Sequence, residues 1–429
     1  MRKNFLSVLV VLLIASFVVS TPPQAAAEES VIRLLISAGG SGKAYIGGVE
    51  LFNEQYKGKY RVETDTIAFD SLLTKLMTQF VSRTAFYDVV AVSSNWRDRV
   101  WRFLEPLNSY IKKYGPQNVN ELYGAPEIEG LTYDGKIVGF PVRTGGDVLF
   151  YRKDLFAQAG VKVPQTLDEL LNVARKLTVG PPNQRERYGF SMLAQSPTFT
   201  INNLSDFLFT QGIYFLNESK TKANPGLKGK EAQKIFELIK TMYDEKLMPN
   251  PMEWTYDDNI VALQQGKLAM TLEDYMRAPL MEKEGVSKVI GKMGYAMIPN
   301  SKNGPEKPKT RGGAWILSID KNSKNKVAAY EFAKFMAGYE AQLHMAKGWA
   351  NGPAVLSILN DPVFLKANPA AAAASESFSK LGSRVPISID QRPVIEKELH
   401  DILHQMFLNK IAPKDVGQAM YDKINTTLR

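Results

Sequence analysis

The stretch that decides the fold is VLFYRKDLFAQAGV, residues 148–161, followed by Pro164 and by TLDEL, residues 166–170. Its first four residues are apolar or aromatic and favour a β-strand, and a helix is predicted around Leu155 directly after them. Thr166 and Glu169 stand at the spacing of a capping box, which predicts the start of another helix. A strand followed by helices in this way is typical of an α/β protein.

The same alternation occurs upstream of this stretch. The sequence predicts strands at residues 31–36, 60–64 and 88–92 and a helix at residues 71–82. A glycine-rich turn, residues 37–42, separates the first strand from a segment with helical spacing of its apolar residues. The repeated alternation predicts a mainly parallel sheet covered by helices.

Residues 139–146 differ from this pattern, because Pro141 and the pair Gly145 and Gly146 favour a bend rather than the interior of a strand. From residue 166 to residue 292 the spacing of apolar residues predicts mostly helices. Strands are expected again at residues 294–298 and 312–319, and helices are expected toward the C-terminus.

Five motifs resemble those of the family-1 extracellular solute-binding proteins, the maltose-binding type. The first is the strand with its Tyr-x-Lys-Asp-Leu-Phe step and its Pro-x-Thr-x-x-Glu-Leu helix start, within residues 148–170. The others follow in the family's order at residues 265–270 (QGKLAM), 312–315 (GGAW), 328–336 and 384–386 (RVP), where Val385 separates the usual Arg and Pro. The resemblance spans nearly the whole mature chain.

This resemblance implies a fold of class α/β, the two-lobe periplasmic-binding-protein fold of type II (maltose-binding-like), with hinge-linked mixed sheets flanked by helices. The implied first lobe comprises residues 28–143 and 311–354, the second lobe comprises residues 147–307 and 357–429, and the crossings are residues 144–146, 308–310 and 355–356. It also implies a monomer that binds a sugar, either a mono- or an oligosaccharide, between its lobes. The protein would deliver this ligand to the permease subunits of an ABC importer in the inner membrane, without a cofactor and without catalysis.

Candidate ligand-binding residues are those that could bond sugar hydroxyls or stack on a sugar ring. Asp, Glu and Arg form charge-assisted hydrogen bonds, Trp stacks, and ligands of open α/β sheets bind beyond the carboxyl ends of strands. Residue type and position give Gly40, Ser41, Trp96, Arg143, Asp147 and Trp315, and the resemblance adds Trp254, Glu273, Asp274, Trp349 and Arg384.

Structural alternatives exist for several of these candidates. Trp96 and the other Trp side chains could pack in the interior rather than stack on a ligand. Glu273 and Asp274 could cap the helix that contains Met276, and Arg384 could form a structural ion pair.

Two other motifs could indicate a nucleotide-binding site or a metal site. Residues 37–43, SAGGSGK, resemble a P-loop, but Ser37 and Ala44 stand where that motif needs Gly and Ser or Thr, which argues against nucleotide binding. His400 and His404 share a helix face, but Asp401 stands where a metalloprotease has Glu. We therefore expect an exposed helix face here and no metal site.

The N-terminus predicts a cleaved signal peptide, residues 1–27. Arg2 and Lys3 precede an apolar run at residues 5–19, and residues 25–27 are the small alanines that signal peptidase needs. The run is short for a membrane anchor, which needs about 20 residues. The chain has no cysteine, which excludes disulfides, cysteine metal sites and the lipid anchor of a bacterial lipoprotein. We therefore expect secretion into a Gram-negative periplasm.

The charge of the chain leaves one alternative open. The formal net charge is +9, and loss of Arg2 and Lys3 with the signal peptide lowers it to +7. Lys and Arg are spread along the chain beside Glu and Asp, so nucleic acid is not an expected partner. A charged solute remains the alternative ligand: a glycerol phosphate ester, a peptide or a polyamine. Arg143, Arg311 and Arg384 favour an anion among these.

An enzyme, for instance a secreted glycosidase, is a further alternative. Glycoside hydrolysis needs two carboxylates that face one sugar at a fixed separation. Glu273 and Asp274 are sequence neighbours, and neighbours on a helix do not face each other. The sequence therefore favours binding over catalysis.

Overall fold

The computed structural model describes residues 29–429, except for residues 39, 94–95, 117–118, 120–130, 302–303, 349–350 and 388. The signal peptide predicted at residues 1–27 and the candidate Trp349 lie outside the described residues. Within the described part, no helix has the length and apolarity needed to cross a membrane.

The strands form one mixed sheet and a small separate hairpin. Their bounds are β1 (Ser30–Ser37), β2 (Tyr60–Ile67), β3 (Val89–Ser93), β4 (Thr132–Tyr133), β5 (Lys136–Ile137), β6 (Phe140–Arg152), β7 (Met270–Asp274), β8 (Met293–Ala296), β9 (Thr310–Ile319) and β10 (Ser383–Arg384). The main sheet has the order β2-β1-β3-β9-β6-β7, with β8 paired to β6 and β10 paired to β9. Strand β1 is parallel to β2 and β3, whereas the pairs β3–β9, β9–β6 and β6–β7 are antiparallel.

Helices flank this sheet. Their bounds are α1 (Gly40–Gln55), α2 (Phe69–Ser82), α3 (Arg97–Val100), α4 (Asn108–Tyr114), α5 (Lys153–Ala159), α6 (Leu167–Leu177), α7 (Pro197–Phe209), α8 (Lys230–Asp244), α9 (Tyr256–Gln264), α10 (Ala278–Met281), α11 (Lys326–Met336), α12 (Tyr339–Gly348), α13 (Pro362–Ala367), α14 (Ala371–Leu381), α15 (Arg392–Phe407) and α16 (Pro413–Thr427). Short 3-10 helices occur at Trp101–Phe103, Pro225–Lys228, Tyr275–Arg277 and Leu356–Asn360.

The decisive stretch folds as its sequence predicts. Strand β6 ends at Arg152, helix α5 follows at once, and Gly160 ends that helix in the left-handed conformation with φ of 61°. At the start of α6, the hydroxyl of Thr166 accepts a hydrogen bond from the backbone N–H of Glu169 at 3.2 Å. The Glu169 carboxylate accepts its return bond from the N–H of Gln165, one residue earlier than in a standard capping box.

The bend expected at residues 139–146 is wrong, because β6 runs unbroken from Phe140 to Arg152. Its only irregularity among these residues is a register shift between Pro141 and Arg143. Gly146 lies inside the strand, where a Cβ would stand 2.6 Å from the ring of Phe378. The glycine therefore serves the close approach of α14 to the strand rather than a turn.

The buried side chains form more than one hydrophobic centre. One cluster joins β1, α1 and α11 through residues such as Ile32, Phe52 and Phe332. Another joins α7 and α8 through residues such as Phe207 and Phe236. A mixed α/β sheet with separate helix-covered centres confirms the expected two-lobe fold of type II.

Strands β6 and β9 carry the chain between the two groups of strands. The first half of β6 pairs with β9, and its second half pairs with β7 and β8. A third segment, which contains Gly352 and Pro353, lies against β6. The N–H of Thr144 donates to the carbonyl of Gly352, and the hydroxyl of Thr144 donates to the carbonyl of Pro353, both at 2.9 Å. The lobe limits expected from the sequence stay predictions.

Candidate ligand-binding site

A pocket of about 260 Å³ lies where β6, β7 and β9 meet helices α7 and α9. Its described lining consists of three carboxylates, two arginines, two aromatic rings, two amides and two leucines: Asp147, Glu273, Asp274, Arg277, Arg311, Phe199, Tyr256, Asn202, Asn203, Leu193 and Leu272. The sequence-predicted residues Asp147, Glu273 and Asp274 are thus brought together.

Strand pairing explains why two of these carboxyl groups, those of Asp147 and Asp274, meet. In the antiparallel pair β6–β7, Asp147 is the register partner of Asp274, and Val148 is the partner of Glu273. Directly opposed residues project on the same side of a sheet, so the Asp147 and Asp274 side chains are cross-strand neighbours.

Asp147 is held by a bidentate ion pair. The guanidinium of Arg311 on β9 donates to both carboxylate oxygens, through Nε at 3.0 Å and through Nη2. Burial alone would raise the pKa of Asp147, but the charge of Arg311 and the hydrogen bonds of Asp206 and Arg311 together lower it below its usual value. Asp147 is therefore an ionised acceptor at neutral pH.

A second acid completes this ion pair from α7. Asp206 is fully buried, and its Oδ1 lies 3.5 Å from Nε of Arg311. Burial, and then the negative charge of Asp147, raise the pKa of Asp206 well above its usual value. The cluster therefore joins one carboxylate, one carboxylic acid and one guanidinium.

Burial also acts on the acids Glu273 and Asp274. Burial, followed by the charge of Asp147, raises the pKa of Glu273 to about 8 and raises that of Asp274 as well. Glu273 accepts hydrogen bonds from the amide of Asn259 at 3.3 Å and from the N–H of Asp274 at 3.0 Å. Asp274 accepts from the N–H of Met276 at 3.2 Å and so caps a 3-10 helix. Asp274 therefore both caps this short helix, which was the structural alternative considered for it, and lines the pocket.

The small size of Gly145 lets the side chain of Asp274 lie close to strand β6. A Cβ on Gly145 would stand 2.5 Å from Oδ2 of Asp274, well inside contact distance. Only glycine lets β6 pass this close to the carboxylate.

Arg143 lies next to the pocket. Its Nε is 3.4 Å from Sδ of Met276, and burial, followed by the charge of Arg277, lowers its pKa. It acts electrostatically on Asp274 of the pocket and on Tyr45 of helix α1. Arg143 therefore connects the pocket to the helix that begins at Gly40.

One wall of the pocket is aromatic. The rings of Phe199 and Tyr256 are stacked, with centroids 5.6 Å apart and planes inclined by 15°. The guanidinium of Arg277 lies 5.3 Å from the centroid of Tyr256. Such a wall can pack against the C–H face of a sugar or the carbon chain of a polyol. The carboxyl groups of the same pocket can form hydrogen bonds with the hydroxyl groups of such a ligand.

Trp96 and Trp315 form a second aromatic feature, on the other group of strands. Their rings are edge-to-face with centroids 5.5 Å apart, and both are half-buried. Trp315 is the register partner of Ser93 on β3 and of Arg143 on β6. The pair therefore stands beside Arg143, outside the pocket that holds Asp147.

The remaining candidates lie elsewhere. Trp254 packs edge-on against Tyr188 at 6.0 Å, and Arg384 lies 4.1 Å from the Tyr214 centroid and donates to the carbonyl of Leu216 at 3.2 Å. Neither is among the described residues that line the pocket. Gly40 and Ser41 begin helix α1.

His400 and His404 do not form the exposed helix face that the sequence suggested. Both are half-buried, and His400 Nδ1 lies 2.8 Å from the hydroxyl of Thr200 on α7. Among the described residues, no group of three or more His, Asp or Glu side chains is placed so that it could hold a metal ion.

Sequence reasoning missed Asp206, Asn202, Asn203 and the stacked pair Phe199 and Tyr256. A signal existed for the helical residues, because positions 199, 202, 203 and 206 share one face of a helix. Polar side chains on the same face as buried apolar ones indicate a site rather than a plain core.

The sequence of the chain is similar to those of known proteins. Residues 37–343 match the model of the bacterial extracellular solute-binding proteins. The chain is 25% identical over 284 residues to a galactooligosaccharide-binding protein of Bacillus subtilis, covering 65% of this chain and 62% of that protein. It is 22% identical over 329 residues to a mannitol-binding protein of Pseudomonas aeruginosa, covering 73% and 71% of the two chains.

Solved structures show the same fold. A ribitol complex of an ABC transporter solute-binding protein from Agrobacterium radiobacter superposes with a TM-score of 0.77 at 22% identity, covering 93% of this chain and 99% of the other. A maltose-bound protein of T. maritima gives 0.79 at 21% identity, covering 92% and 99%. The fold, the pocket between strands and helices, and the match over residues 37–343 lead to one conclusion: the chain belongs to the family of bacterial extracellular solute-binding proteins.

Proposed function

We propose that this protein is the substrate-binding component of an ABC importer and that it binds a neutral sugar or polyol in the pocket around Asp147. The observation that carries the proposal is the composition of that pocket. The carboxyl groups of Asp147 and Asp274 and the stacked rings of Phe199 and Tyr256 line the same space of about 260 Å³. Hydroxyl groups need such acceptors and donors, and carbon-bound hydrogens pack on aromatic faces.

Relatives support this class of ligand. The names of similar proteins specify a galactooligosaccharide, mannitol and erythritol or L-threitol. The matched stretch spans 62% of the length of the galactooligosaccharide-binding protein, so the ligand and the transporter partner are proposals for this chain.

The contacts favour a neutral ligand over an anion. Arg311 is already bonded to Asp147 and lies beside Asp206. Arg384 lies over Tyr214 and donates to a backbone carbonyl. Two of the three arginines that made an anion attractive in the sequence are thus engaged within the protein. A polyamine is also disfavoured at Glu273, because burial raises the pKa of this side chain to about 8 and so favours its uncharged form.

The proposal includes hinge closure and secretion. Residues 144–146, 308–310 and 355–356 serve as crossings between lobes 28–143 with 311–354 and 147–307 with 357–429, and closure around a ligand is sensed by a permease. The chain is exported after cleavage behind Ala27, acts as a monomer in the periplasm of a Gram-negative cell, and uses neither a cofactor nor catalysis. Support comes from the family, whose members are extracellular binding proteins.

A thermal-shift screen tests the proposal. The mature chain from Glu28 would be scanned with mannitol, ribitol, maltose, a galactooligosaccharide, glycerol phosphate, a peptide and a polyamine. A ligand at a hundred times its dissociation constant adds about 2.7 kcal/mol to the free energy of unfolding. A shift with one neutral carbohydrate or polyol is the expected result, with no product after long incubation. A shift with glycerol phosphate alone would contradict the proposed ligand class.

A further inference from the structure

Two neighbouring histidines connect the start of helix α7 to helix α15. His400 and His404 are one turn apart on α15, with ring centroids 3.9 Å apart and planes inclined by 47°. His400 Nδ1 lies 2.8 Å from the hydroxyl oxygen of Thr200, and His404 Nε2 lies 2.6 Å from the carbonyl oxygen of Ala194. Each ring therefore makes one hydrogen bond to the segment that contains the N-terminus of α7.

The partners of the two rings define which nitrogen carries the proton. A carbonyl oxygen only accepts, so Nε2 of His404 donates to Ala194. The hydroxyl of Thr200 donates to the carbonyl of Ser196 at 2.9 Å, so its oxygen accepts from Nδ1–H of His400. Both neutral rings are thus donors, and further protonation keeps these bonds but places like charges on two rings in contact.

The fastened segment is a wall of the candidate pocket. Ala194 directly follows Leu193, and Thr200 directly follows Phe199, and both preceding residues line the pocket. The N–H of Leu193 also donates to the side chain of Asn203 at 2.8 Å, which ties the two ends of the wall together. A displacement of either histidine contact therefore moves a residue that faces the ligand.

We propose that His400 and His404 position the pocket wall formed by Leu193, Phe199, Asn202 and Asn203, and that protonation of this pair in mild acid loosens the wall and weakens ligand binding. The proposal rests on the proposed function, because it takes this pocket as the ligand site. Both histidines are positioning residues, since they act through Ala194 and Thr200.

The charges around His400 favour its neutral form. Burial, and then the neighbouring His404, lower the pKa of His400, with a smaller opposing effect of Asp401 and a further lowering by Lys397. Across the interface, α7 presents the uncharged Thr200. A lowered pKa means that the folded state binds the proton less tightly than the unfolded state, whose histidine value is about 6.5. The stability that neutral His400 contributes is therefore full above that value and is lost as the pH falls through the lowered pKa of His400.

Charged groups on the other helices packed against α15 have partners of their own. Lys423 of α16 pairs with Glu398 at 3.2 Å, and Lys240 of α8 pairs with Asp244. Asp206 of α7 is two turns beyond Thr200, beside the guanidinium of the pocket. The proposed loss of binding in acid is therefore assigned to the rings of His400 and His404.

The test uses a variant that keeps both donors and cannot titrate. In H400N/H404Q the amide nitrogens stand close to the positions of Nδ1 and Nε2. Affinity for mannitol, ribitol and maltose would be measured by calorimetry at about pH 7.5 and about pH 5, the range in which histidine changes charge. The wild type should lose about fivefold or more in affinity on acidification, at the lower end of common coupling between sites. The double variant should hold its affinity within about twofold.

A matched control is H344N, which removes an exposed histidine on α12 and should reproduce the wild-type pH profile. Equal acid losses in the wild type and in H400N/H404Q would overturn the proposal, as would a wild type without any loss.

A second readout separates this proposal from the proposed function. Hydrogen exchange of the backbone amides of residues 193–203, corrected for intrinsic rates, should be faster in acid for the wild type but not for H400N/H404Q. If no probe binds at either pH, the proposed ligand class fails, and the exchange data still decide whether the pair holds the wall. Unchanged exchange in the wild type would refute the positioning role.

Discussion

Asp147 and Asp274 are register partners on the antiparallel strands β6 and β7, yet their pKa values shift in opposite directions. Burial raises the pKa of both side chains, but the charge of Arg311 and the hydrogen bonds of Asp206 and Arg311 lower that of Asp147 below its usual value. Two neighbouring acids thus differ in how readily they take up a proton. A hydroxyl group both donates and accepts hydrogen bonds, so it can bond to a carboxyl group in either protonation state.

Removal of Arg311 should destabilise the protein strongly. In R311M the buried Asp147 loses its bidentate partner, and breaking a buried ion pair in this way costs about 3 kcal/mol or more. Urea unfolding would measure the loss of free energy. The control is R175M, which breaks the exposed pair of Arg175 with Glu245 and should cost less than about 1 kcal/mol. Similar losses for the two variants would refute the role assigned to the buried pair.

Glu273 should make the folded state more stable in acid than in base. Its pKa is raised to about 8, so the folded state holds the proton more tightly than the unfolded state. Its contribution is full below the unfolded value of about 4.3 and is lost as the pH rises through the folded value, with a slope of at most about 1.4 kcal/mol per pH unit.

The matching variant is E273Q, which keeps the shape of the protonated acid. Urea unfolding at several pH values between about 5 and 8 should give a shallower fall in stability for E273Q than for the wild type. The control E253Q, at an exposed position, should follow the wild type. A fall of the same slope in E273Q would show that another group is responsible.

The aromatic wall should contribute through its ring rather than through its hydroxyl. Y256A removes the stacking partner of Phe199 and should weaken binding of the best ligand about tenfold, because an aromatic contact contributes roughly 1 kcal/mol beyond its buried area. Y256F keeps the ring and should bind within about twofold of the wild type. Calorimetry decides the matter, and a large loss in Y256F would instead assign the effect to the hydroxyl.

Local patterns in the sequence predicted the local structure well. The strand, helix and cap between residues 148 and 170 follow from side-chain chemistry within a few residues, and the structure confirms them. Asp147 could be predicted as a candidate from its residue type and position, and Glu273 and Asp274 from the family resemblance. Their proximity could not be predicted, because it depends on the pairing of β6 with β7.

Long-range packing explains what the sequence could not show. Gly145 and Gly146 suggested a bend, but their small size serves the approach of Asp274 and Phe378 from distant segments. Asp206 looked like an ordinary residue of a helix, and only the fold brings it to Arg311. The roles of these residues depend on partners that lie 100 or more positions away in the sequence. The spacing of apolar residues within a short stretch of sequence gives no information about such partners.

The place of β9 in the sheet has a consequence for biosynthesis. This strand lies between β3 and β6, and both of these neighbours are made much earlier than β9. Until residues 310–319 leave the ribosome, β3 and β6 lack the strand that joins them, and the nascent chain cannot complete its main sheet. Late closure by a distant strand slows folding, since the loop must be closed before its contacts form. A chain that stays open during synthesis is well suited to threading through a secretion channel before it folds.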